Sequence, residues 1–74
     1  MLDKDALNNA LEKALANSEQ AAVQIKAAMG KVYCSAKLRG DMPRHLISAA
    51  TYADTSYHYT QKAFLMLMKK VENA

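Results

Sequence analysis

The residues best suited to chemistry gather in one stretch, Thr51-Tyr52-Ala53-Asp54-Thr55-Ser56-Tyr57-His58-Tyr59-Thr60, where tyrosines, a histidine and an aspartate stand among hydroxyl side chains. Asp54 and His58 are four positions apart. On a helix that spacing sets one above the other and lets a carboxylate steady a charged imidazole. A catalytic Asp-His unit needs more than this: a nucleophile within hydrogen-bond reach and donors for the developing charge, all held in a pocket. A protein of two helices has nowhere to form such a pocket, so the expectation is a surface pair. Cys34 has Lys31 and Lys37 one helical turn to either side, and nearby cations draw a thiol toward thiolate. With no histidine or acid placed beside it, it reads as an incidental thiol. No Gly-rich phosphate loop and no zinc-type Cys/His spacing occurs. The chain is therefore expected to be non-enzymatic, with no cofactor and no metal.

Charge is the second chemical feature. The formal net charge is +3, unevenly spread. Between Gln20 and Ser48 lie Lys26, Lys31, Lys37, Arg39 and Arg44 with a single acid, Asp41, while acids slightly outnumber bases elsewhere. Lys31, Lys37, Arg39, Arg44 and His45 are thus candidates for contact with an acidic protein surface or a phosphate backbone. Arginine is scarce and no nucleic-acid-binding motif is present, so nucleic acid (RNA or DNA bound by a small basic helical dimer) is the alternative reading and protein binding the first.

These side chains must be positioned by helices. Alanine is abundant, β-branched residues are few and no alternating run marks a strand. Asp3 is placed to cap a first helix, with Leu2 and Leu7 at the positions of a hydrophobic staple. From Leu7 an apolar stripe continues through Leu11, Leu15, Ser18, Ala22, Ile25, Met29, Val32 and Ala36, in steps of three and four. Gly30 falls off that stripe and is expected to weaken the helix without breaking it. The turn signal is Arg39-Gly40-Asp41-Met42-Pro43, with Gly40 as C-cap and Pro43 in the first turn of a second helix. There the stripe runs Leu46, Ala50, Ala53, Tyr57, Thr60, Phe64, Leu67, Val71, alternating four and three as a heptad seam does.

The predicted fold is all-α: one domain over residues 1–74, an antiparallel αα-hairpin with helix 1 about 3–39, a turn at 40–42 and helix 2 about 43–72. Folding back near residue 41 sets Ile25 opposite Tyr57, Ser18 opposite Phe64 and Leu15 opposite Leu67, often large against small.

Helix 2 carries a further stripe, Ala49, Tyr52, Ser56, Tyr59, Ala63 and Met66, about 100° from the first. Helix 1 carries a ridge of small residues, Ala10, Ala14, Ala21 and Ala28. Two stripes on one helix imply two neighbours, and a hairpin supplies one. A chain of 74 residues with one cysteine also has neither the core nor the disulfides that stabilise small domains alone. The expected assembly is a homo-oligomer, a dimer forming a four-helix bundle. The expected function is a protein–protein interaction module, a small adaptor, chaperone or inhibitor, that contacts a partner protein through Tyr52, Tyr59, Ala63 and Met66. The lone cysteine fits a reducing compartment. Acids at the N-terminus and the shortness of the uncharged apolar run Phe64 to Met68 point to a cytoplasmic protein with no membrane contact.

Overall fold

The computed structural model describes residues 2–73, the last four of these as backbone only. Two helices, α1 (Lys4–Met29) and α2 (Met42–Asn73), pack against each other, with a 3-10 turn at Leu38–Asp41 leading into the second. No strand occurs among the described residues.

α1 starts as its sequence dictates. The Ala6 amide donates to Asp3 Oδ1 at 3.0 Å, filling one of the orphan donors of the first turn. Its end departs from expectation. α1 stops at Met29, not near residue 39, and residues 30–41 form the connection in place of 40–42. Gly30 is the C-cap, its N–H donating to Lys26 O at 3.0 Å. Beyond it the bonds tighten by one residue: Lys31 N–H to Ala28 O, Val32 N–H to Met29 O and Cys34 N–H to Lys31 O. Gly30, Val32, Tyr33, Cys34 and Ser35 all have low helix propensity, each about 0.5–1 kcal/mol poorer than alanine. Five such residues within six positions outweigh what another turn of helix would gain. No glycine among the described residues has positive φ, so Gly40 lies within the 3-10 turn instead of capping a helix. Pro43 sits in the first turn of α2, where its missing N–H costs nothing.

The helices run in opposite senses. Ser56 meets Ala14, His45 meets Gln24, and the Lys13 ammonium sits over Tyr59. This register differs from the expected one, which would have set Ala14 opposite Met68. The reason is the identity of the seam. On α1 it comprises Ala10, Ala14, Asn17, Ala21, Gln24 and Ala28, with Lys31 just past the helix end; on α2 it comprises Met42, His45, Ala49, Tyr52, Ser56, Tyr59, Ala63 and Met66. Both sets alternate threes and fours. The buried members are all alanines: 10, 14, 21 and 28 on α1, 49 and 63 on α2. Side chains that small let the two backbones approach closely, and one contact shows how closely. The Ser56 hydroxyl reaches across to donate to the backbone carbonyl of Ala14 at 2.7 Å.

The result is a single layer, 59 Å long and 16 by 13 Å across in Cα extent. Among the described residues, no further helix or strand covers either broad side of the pair.

Candidate interaction face

One residue forward along a right-handed helix is a rotation of about 100°. For two helices running in opposite senses, the residue after each seam position turns toward the same broad side of the pair. On α1 those residues are Leu11, Leu15, Ser18, Ala22, Ile25 and Met29; on α2 they are Leu46, Ala50, Ala53, Tyr57, Thr60, Phe64 and Leu67. All are exposed, among them Leu15 at 61%, Met29 at 66% and Phe64 at 57%. The stripe predicted to close the helix pair instead lies open along one side of it. No charged residue interrupts it from Leu11 to Met29 or from Leu46 to Leu67. Val71, the last member of the predicted stripe, lies outside the residues whose side chains are described.

The physical contrast between seam and face is large. A buried alanine methyl contributes about 0.8 kcal/mol, whereas burying a leucine, isoleucine or phenylalanine contributes about 1.5–3 kcal/mol. The helix pair has placed its small side chains inside and left its larger apolar ones in water. Monomeric soluble proteins rarely expose a contiguous apolar surface of this kind.

The residues predicted to bind a partner lie along the seam. Ala63 is 3% exposed against α1, and Tyr52, Tyr59 and Met66 are half-buried in the same seam. The Lys13 ammonium lies 5.4 Å from the centre of the Tyr59 ring, a cation–π contact that closes part of its open side. His58 packs edge-on to Tyr59, ring centres 5.9 Å apart. Among the described residues His58 forms no ion pair with Asp54; the ion pair present is Lys31 with Asp41.

That pair sits at the basic end of the molecule. Lys31 Nζ donates to Asp41 Oδ2 at 3.3 Å. The hydrogen bond, then the charge of Lys31, then more weakly Arg44 and His45, hold the Asp41 carboxyl below its ordinary range. Gln24 Oε1 accepts from His45 Nδ1 at 2.7 Å, so His45 is tied into the seam. Of the five basic-end candidates, Lys37, Arg39 and Arg44 are exposed, while Lys31 and His45 are half-buried and engaged. Tyr33 was no candidate, yet at 99% exposure it is the barest aromatic at this end. Its only signal in the sequence is the weak helix propensity of its neighbourhood.

A groove of about 450 Å³ runs along the C-terminal half of α2, lined by His58, Gln61, Lys62, Leu65, Met66 and Lys69. Its lining holds no carboxylate to pair with the histidine. Cys34 is half-buried, its Sγ 3.8 Å from the Gly30 carbonyl. No cluster of three or more His, Cys, Asp or Glu suited to a metal occurs among the described residues. No helix among them is long and apolar enough to cross a membrane. No family model matches the chain, and no curated protein or solved structure shows significant similarity to it.

Proposed function

We propose that this chain is a non-enzymatic protein–protein interaction module, an antiparallel helical hairpin whose working surface is the apolar face formed jointly by α1 and α2. One observation carries the reading: the large apolar side chains Leu11, Leu15, Ile25, Met29, Leu46, Tyr57, Phe64 and Leu67 are exposed on one side, while the seam between the helices is built from alanines. A second helical layer laid on that face converts a single layer into a packed bundle. The anchors are accordingly Leu15, Tyr57 and Phe64, with Tyr52, Tyr59, Ala63 and Met66 acting from inside the hairpin to hold those anchors in place. Phe64→Glu and Leu15→Glu should each abolish association while leaving the helical circular-dichroism signal of the isolated pair in place. Association that survives both changes would remove the face from consideration.

The three exposed cations at the turn end favour one second reading, contact with a nucleic-acid backbone through Lys37, Arg39 and Arg44. It carries a different signature. Neutralising three phosphates gives a log–log dependence of affinity on salt with slope of about −2 to −3. Apolar association lacks that slope.

A further inference from the structure

We infer that the occupant of the apolar face is a second copy of this chain, packed face to face with its turn end pointing the opposite way; this rests on the interaction-module reading above. Three observations carry it. The first is area. The chain exposes 5803 Å², whereas a compact monomer of its 8.2 kDa mass exposes about 4,500 Å². The surplus of about 1,300 Å² exceeds the roughly 800 Å² that each partner contributes to a standard stable interface.

The second is shape. In the observed register Ser18 and Ala22 on α1 lie beside Ala53 and Ala50 on α2, so the middle of the face is a waist of small side chains. Leu46, Ile25 and Met29 stand on one side of it; Leu11, Leu15, Tyr57 and Phe64 stand on the other. A twofold axis through the waist, across the helices, brings small residues against small and lets the bulky flanks of each copy pack around them. Such an interface is self-complementary, as a closed dimer requires.

The third is charge, which selects the direction. The turn end gathers Lys31, Lys37, Arg39 and Arg44 against Asp41 alone. Turn ends laid side by side would bring these cations within about a Debye length, 8–10 Å. Turn ends at opposite extremes of a 59 Å molecule do not meet. The absence of charge from the face itself leaves nothing to recognise an acidic or basic partner in its place.

Sedimentation equilibrium of the full chain at micromolar concentration should give twice the 8.2 kDa chain mass. Ala50→Glu, which puts a charge into each side of the waist, should weaken the dimer by about 100-fold or more. Gln20→Glu, on the far side of the pair, should leave the mass unchanged. If Ala50→Glu does not fold, the wild-type melting temperature gives the answer instead: it should rise with protein concentration. A nitroxide on Cys34, the sole cysteine, reports direction: opposed turn ends place the two labels roughly 30 Å or more apart at 1.5 Å per residue, whereas turn ends side by side place them much closer. A monomer with a concentration-independent melting temperature, an open-ended polymer, or closely spaced labels overturns the proposal. A monomer that binds an apolar fluorescent dye removes only the second copy and keeps the interaction face. A monomer that leaves the dye dark removes both.

Discussion

Ser56 shows how much of this structure turns on single atoms. Its hydroxyl bonds the Ala14 carbonyl across the seam at 2.7 Å, a contact open only to a residue small enough to sit between two backbones. Ser56→Ala should cost about 1 kcal/mol, the usual net value of one such bond, and a chemical-denaturation midpoint measures it. Asp41 makes a subtler prediction. Its folded pKa lies below the ordinary value because Lys31 donates to it and sits beside it as a cation. The contribution of this pair is present above the unfolded pKa and fades as pH falls through the lowered folded value. Lys31→Met should raise the Asp41 midpoint toward that of a free carboxylate in an NMR titration. An unmoved midpoint would show that the pair does not form in solution. Both groups lie at the surface, so global stability should scarcely respond. Asp54 and His58 do not form the expected surface pair: among the described residues the ion pair is Lys31 with Asp41, and the His58 ring packs on Tyr59.

For the helices, the decisive contrast is between seam and face. Ala21 is 7% exposed between α1 and α2. Ala21→Leu should push the helices apart and destabilise by about 1–3 kcal/mol, although leucine is the more apolar residue. Thermal unfolding would detect it, and an unchanged or raised midpoint would mean that the alanines are not a close-packed seam. Gly30 offers the opposite case. Its φ is −65° and a Cβ there would meet only the carbonyls of Ala27 and Lys26 at 3.6 and 3.7 Å, ordinary contacts. Gly30→Ala should therefore stabilise by about 0.4–1 kcal/mol, chiefly by restricting the unfolded chain. Both helices, the Asp3 cap and the two heptad stripes were readable from residue spacing. The end of α1 was not, because propensities of a few tenths to one kcal/mol per residue decide it only when summed over the run from Gly30 to Ser35.

The whole molecule is a slender layer. Its Cα radius of gyration is 17.1 Å, against about 11 Å for a compact domain of this length. A layer one helix thick cannot enclose large side chains, which is why the buried side chains among the described residues are alanines and the leucines lie outside. Sulfate strengthens apolar association and weakens contacts to phosphate. Raising sulfate should thus tighten the complex if the apolar face makes it and loosen the complex if Lys37, Arg39 and Arg44 make it; analytical ultracentrifugation across a sulfate series reads the sign.

Periodicity alone established that there are two amphipathic helices, each with more apolar surface than one neighbour can cover, joined near a proline-marked turn. It could not establish which stripe faces inward. Two stripes one residue apart on a helix carry equally regular heptads, and hydrophobicity ranks the leucine stripe first. Packing two helices reverses that order, because backbones approach closest where side chains are smallest, and because hydrogen bonds such as Ser56 to Ala14 form only at that close approach. The bulky stripe is left exposed.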